Sequence, residues 1–340
     1  MLDGSMRSIG VIAVLFLAGW RLHAMEPAPV SLEEAAECLG LSTRQLAELR
    51  SGRIVAAGLD ERTDKELAVT TAMLVDRPLA EVAAAARTGW LMEADPQTLR
   101  FAPLDDESDL DALEAGEVRA LLQVRAGTEF NLSADEIARF QALRRRFPGS
   151  CDVACAESVV EEYRRALLAR LAAYRAGGTA AIAGYARANG EVANAGEELR
   201  TAARACELLH RHFPEVIEAF VDYPRRPAES ALDRYYWATQ RVSGRPDVTL
   251  VHRMIVERPH VLLVFERQFY VGHAYNGLVV LSGAFDVDGR TLVFAISRSS
   301  TDQAAGFPRD VRHALGRRHM RAQFTASFER IRATSEAAAR

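Results

Sequence analysis

Between Asp247 and Arg332 the sequence leaves little freedom of fold. Four runs, Val248–Glu257, His260–Val271, Asn276–Phe285 and Arg290–Ser299, have the composition of strands, and only short turns separate them. Arg258-Pro259 marks the first turn, Gly272 to Tyr275 the second and Asp288-Gly289 the third. Asp-Gly suits a tight type I′ hairpin, in which both central residues need positive φ. Strands joined in this way predict an up-and-down antiparallel meander. A helical pattern follows from about Arg309 to Ala333, with Val311, Leu315, Ala322, Phe324, Phe328 and Ile331 as its apolar side.

Within His260–Tyr275 one parity carries Val261, Leu263, Phe265, Phe269 and Val271, and the other carries Leu262, Val264, Glu266, Gln268 and Tyr270. Apolar residues on both faces predict a strand covered on both sides. Glu266, Arg267 and Gln268 interrupt that pattern. Removing one member of a buried ion pair costs about 3–5 kcal/mol, so charges here need partners. His252, Arg253 and Arg298 on neighbouring strands are the candidates for Glu266. Two readings follow: cross-strand ion pairs at a sheet rim, or a polar floor that orients a ligand head group in an apolar cavity. His273 and Tyr275 lie at a strand junction that could open onto a pocket, while Arg298 and Asp302 flank a turn where they either pair locally or meet a ligand. The candidate ligand-binding set is Glu266, Arg267, Gln268, Tyr270, His273, Tyr275, Arg298 and Asp302.

The remainder of the chain divides by pattern. Met6-Arg7-Ser8, the apolar run Ile9–Trp20 and Arg21 to Ala24 have the parts of a secretory signal peptide, and the run is too short to span a bilayer. Residues 1–24 are therefore expected to be removed near Ala24, leaving a periplasmic or secreted protein. Residues 25–52 predict a helical hairpin, with Ser31 and Glu34, then Ser42 and Gln45, at capping positions. Residues 53–104 read as β-β-α: strands over Arg53–Asp60 and Leu67–Val75, then a helix from Pro78 to Arg87. Residues 105–230 predict a helical insertion. It opens on an acidic solvated face within Phe101–Glu117 and continues through helices Ser133–Phe147, Val153–Ala176, Thr179–Asn189, Glu197–Phe213 and Pro214–Asp222. Residues 231–340 hold the meander and the closing helix.

Composition narrows the function. The 340 residues are 49% hydrophobic, enough for substantial cores, and a net charge of −4 offers no footprint for nucleic acid. In an oxidising compartment Cys38, Cys151, Cys155 and Cys206 allow up to two disulfides in three pairings. Cys151 and Cys155 would sit awkwardly for bridging if one regular helix contained both. No metal or cofactor is expected: the acidic segment lacks the glycine and closing glutamate of a calcium loop, and of Cys206, His210 and His212 only the first pair has shared-face spacing. No G-x-S-x-G elbow is present, so no catalytic residue is assigned. The basic run on the closing helix, including Arg312, Arg317, Arg318 and Arg321, suits either an anionic membrane surface or pairing with the acidic Asp105–Glu117 segment.

Lys65 to Ala83 (KELAVTTAMLVDRPLAEVA), with its strand, proline-bearing turn and short helix, together with Tyr235 to Ile331, resembles the START-like helix-grip (SRPBCC) superfamily. Gln268 to Tyr275 and Ser297 to Asp302 are similar to segments of exported bacterial proteins without an assigned function. The resemblance implies an α+β fold: an antiparallel sheet gripping a long C-terminal helix, a ligand cavity between them, and the helical region as a large insertion. The implied function is non-catalytic binding of a lipid or other hydrophobic small molecule. Two alternatives stand beside it: an envelope-associated scaffold with a collapsed cavity, and an enzyme using His273 and Tyr275 with Glu266 and Arg298.

Overall fold

Alternation along the strands sorts side chains onto the two faces of one antiparallel sheet. The computed structural model describes residues 30–337 apart from 88–91, 93, 106–109, 111–112, 226–231, 243 and 306–307. The expected signal peptide lies outside the described residues. The sheet strands are β1 (Val55–Gly58), β2 (Glu66–Val75), β3 (Thr98–Pro103), β6 (Leu232–Val242), β7 (Arg245–Arg258), β8 (Val261–Val271), β9 (Gly277–Val287) and β10 (Arg290–Ser300); Tyr185–Ala186 (β4) and Val192–Ala193 (β5) form a separate small hairpin. The eight-stranded order is β1-β2-β10-β9-β8-β7-β6-β3. The predicted meander is thus present as β7 to β10, and β2 closes onto β10 from the far end of the sequence. At the β9–β10 turn Asp288 and Gly289 have φ of 50° and 76°, the signature of the type I′ hairpin.

Both faces are covered. On one, Leu263 and Phe265 of β8 and Leu292, Phe294 and Ile296 of β10 pack with the helical region. That region contains α4 (Ala115–Leu122), α5 (Ala134–Arg146), α6 (Val153–Gly177), α7 (Ala195–Arg204), α8 (Glu207–His212) and α9 (Pro214–Val221), following the N-terminal α1 (Leu32–Cys38), α2 (Thr43–Arg50) and α3 (Leu79–Ala86). The stripe Tyr163, Leu167, Leu171 and Tyr174 on α6 is fully buried, as its three- and four-residue spacing requires. On the other face Met73, Leu262, Val264, Val293 and Ala295 pack with Ala83 and Ala86 of α3 and with Phe328 of the closing helix α10 (Arg309–Ala337). Capping fixes the helix starts: Ser42 and Gln45 form a full capping box, and Ser31 accepts from the Glu34 backbone N–H.

Several expectations are corrected. Leu232–Val242 is a strand pairing with β7 along its whole length, and Thr98–Pro103 is the sheet edge beside it, where an acidic helical face was expected to begin. Thr179–Asn189 is not a helix; a short 3-10 turn leads into the β4–β5 hairpin. The expected Glu197–Phe213 helix breaks after Arg204 and resumes at Glu207. Cys151 and Cys155 are disulfide-bonded with a Cα–Cα distance of 5.1 Å, because α6 starts only at Val153 and Cys151 precedes its Asp152 cap, free of helical geometry. Cys38 and Cys206 are buried and take no part in that disulfide. Val311 and Leu315 were expected on the buried side of α10, yet they are 63% and 67% exposed. The helix instead turns a more polar face to the sheet. It can approach closely at Gly316, where a Cβ would lie 2.5 Å from Leu67.

Candidate functional site

The polar face of α10 covers a cavity of about 420 Å³ against the sheet. Its floor is two adjacent cross-strand rows. One row runs Arg253, Glu266, Val280, Ser297; the next runs Gln268, Leu278, Ser299, Leu67. All of these except Arg253 line the cavity. The roof is Gly316, His319, Met320, Gln323, Phe324 and Ser327, whose spacings of three and four residues place them on one side of the helix. Met92 and Asp95 from the segment before β3, Gln240 from β6, and His273 with Tyr275 from the β8–β9 turn complete the lining.

Glu266 is joined to Arg253, its cross-strand neighbour, through both Nε (2.8 Å) and a terminal nitrogen of the guanidinium. Their side chains are 5% and 0% exposed, and Arg253 also lies against the rings of Tyr236 and Phe101 at 4.9 and 5.4 Å. Asp95 fastens the helix to the sheet: one oxygen accepts from Gln240 and from Gln323, each at 2.8 Å, and the other accepts from the Gln97 backbone at 2.9 Å. Tyr275 donates to Gln268 Oε1 at 2.6 Å. Burial, with the nearby Asp247 and Asp95 carboxylates, raises the Tyr275 pKa, so its hydroxyl stays a neutral donor. Ser297 Oγ is buried and has no hydrogen-bond partner among the described residues.

The structure brings together half of the sequence-predicted set: Glu266, Gln268, His273 and Tyr275 line the cavity. The His273 ring donates from Nε2 to the Pro246 carbonyl at 3.2 Å, and its backbone N–H donates to Asp247, so its orientation is structural. Arg267 faces the helical region by simple alternation, donating to the Tyr174 hydroxyl (2.7 Å) and the Phe220 carbonyl (2.6 Å). Tyr270 was expected on the same face as Gln268. A bulge opposite Leu250 and Val251 reverses the parity after Gln268 and turns it to the other core, beside Tyr163 at 3.1 Å. Arg298 faces away from the cavity, donating to Glu66 at 3.0 Å, so of the three candidate partners for Glu266 it is Arg253 and not Arg298 that pairs with it. Asp302 pairs with Arg187 (2.8 Å) and Lys65 (2.7 Å), away from the lining. Sequence reasoning missed Asp95, Gln240, Ser297 and Ser299 as site residues and, of the roof, placed only Phe324 on the side facing the sheet. For the roof a signal existed: the 316, 320, 323, 327 stripe of α10 has helical spacing, but it is not apolar.

Part of the basic run is engaged at the β1–β2 connection. Arg309 pairs with Asp64 at 2.9 Å, while His313 and Arg317 pair with Glu61 at 2.5 and 2.9 Å. Arg312 donates to backbone carbonyls of Gln303 and Ala305. No group of three or more metal-ligating side chains occurs among the described residues. No protein-family model matches the chain, and neither a curated protein nor a solved structure matches it.

Asp302 gives a pH signature. Burial pushes its carboxyl up, but hydrogen bonds from Lys65 and Arg187 outweigh burial and hold it below the usual aspartate range. A lowered folded pKa contributes stability that is complete above the unfolded value, near ~3.9, and is lost as pH falls through the folded value. At neutral pH, Asp302→Asn is expected to cost on the order of 2 kcal/mol, less than a fully buried pair because the carboxylate side chain is 22% exposed. Urea unfolding of both proteins at several pH values checks this. The gap between them should shrink from about pH 6 to about pH 2, and a constant gap contradicts the assignment.

Proposed function

We propose that the chain is an exported small-molecule binding protein of helix-grip type, holding an amphipathic ligand between the sheet and α10 without transforming it. The cavity carries this reading. Its volume falls in the range of roughly 300–1,000 Å³ usual for small-molecule sites. Leu67, Met92, Leu278, Val280, Met320 and Phe324 supply apolar surface, and the polar groups lie among them on floor, roof and ends. In support of the helix-grip relationship, β2 and α3 precede the meander, α10 follows it, and α10 packs over β2. The scaffold alternative requires that space to be filled by side chains. The enzyme alternative requires His273, Glu266 and Arg298 to act together, yet the His273 ring is anchored to a carbonyl and Arg298 faces the other core.

The test is binding of N-phenyl-1-naphthylamine, a neutral fluorescent probe, to the protein and to Ser327→Trp, which places an indole in the cavity. The expected result is saturable binding weakened at least tenfold by the substitution, with the unfolding midpoint retained. Equal binding by both proteins would place the probe elsewhere and remove the support for this site. Native mass spectrometry of protein taken from its own envelope would then identify the ligand. The same sample shows by its mass whether residues 1–24 have been removed.

A further inference from the structure

Resting on that cavity reading, we infer that the ligand's buried head group is a hydrogen-bond donor, a hydroxyl or an ammonium, and that carboxylate- and phosphate-headed lipids are excluded. The argument begins with two glutamines. An ionised carboxylate only accepts, so Asp95 fixes both amides with their nitrogens toward it. The carbonyl oxygens of Gln240 and Gln323 consequently face other directions, and no described residue donates to either.

Glu266 adds to this excess of acceptors. Both hydrogen bonds from Arg253 go to Oε1, and Oε2 receives none from any described residue. The buried Ser297 hydroxyl, two strands further along the same row beyond Val280, has no partner among the described residues either. A buried polar group without a partner is destabilising, and a ligand hydroxyl or ammonium in reach of Ser297 would supply the missing hydrogen bond.

Cations are scarce in the same lining. Arg245 is the sole lysine or arginine among the described lining residues; it is 39% exposed, 3.9 Å from Glu117, and lies against the Phe130 ring. Arg253 is wholly buried behind Glu266 and does not line the cavity. An anionic head group would therefore lose its hydration and meet two carboxylates, Glu266 and Asp95, without a buried counter-charge.

Competition against N-phenyl-1-naphthylamine tests this with three probes of one chain length: dodecanol, dodecylamine and dodecanoate. Dodecanol or dodecylamine is expected to displace the dye at concentrations at least tenfold below dodecanoate. Tighter amine binding assigns an ammonium on Glu266, and tighter alcohol binding assigns a hydroxyl. Ser297→Ala, which removes no internal hydrogen bond, is expected to weaken the preferred probe three- to tenfold and leave dodecanoate unchanged. Dodecanoate competing as well as the others overturns the head-group inference alone, as does an unaltered preference in Ser297→Ala. Failure of the dye itself to bind instead defeats the cavity reading on which the inference rests.

Discussion

Arg253→Met is expected to lower the free energy of unfolding by roughly 3–5 kcal/mol, because it leaves Glu266 as an uncompensated charge in a water-poor sheet. The pair is nearly solvent-free, at 0% and 5% side-chain exposure. Most of the loss comes from the charge left behind, not from the attraction removed. The double variant Arg253→Met, Glu266→Leu should therefore recover much of the stability, since a packed apolar pair avoids both desolvation costs. Urea denaturation of the two singles and the double decides it. If the double variant is no more stable than Arg253→Met, packing around the guanidinium, between Tyr236 and Phe101, is the larger effect.

Phe328→Ala should cost a similar ~3–5 kcal/mol, the usual price of deleting a buried aromatic ring. Phe328 is fully buried and is the side chain of α10 that enters the second core; Phe324 and Ile331 are only partly buried against it. The polar stretch of the helix nearer its start faces the cavity and contributes less apolar burial, so that ring, the Asp95–Gln323 bond and the Glu61 pairs with His313 and Arg317 hold the roof down. Hydrogen exchange should then show faster exchange along residues 316–331 than in β8 and β9. Uniform acceleration throughout the protein would mean that the helix is not a separately opening unit.

Much of this arrangement was legible in the residues. The meander announced itself through short turns and strand composition, and Asp288-Gly289 adopts the backbone that its dipeptide demands. The continuous greasiness of Leu262 to Phe265 correctly implied a strand covered on both faces. Glu266 and Gln268 were legible as polar breaks in that pattern. Tyr270 was not, because a single extra residue in β8 inverts every later side chain, and nothing local marks the bulge. Most of the roof of the cavity escaped for a different reason. Helix phase is read from apolar residues, whereas the face that α10 presents to the sheet carries Gly316, Gln323 and Ser327, and its Val311 and Leu315 are exposed. Leu232–Val242 was obscured by its charges: Asp233 reaches His252, and Arg234 stays at the surface.

The strand order has a consequence for how the molecule is made. β2 lies beside β10, and Arg290 bonds to Asp76 across 214 residues of chain. A ribosome must therefore complete the helical region and the meander before the first long strand finds its inner neighbour. Pairings of such long sequence separation form late and slowly, and the waiting apolar strand is a target for holding chaperones in the interval.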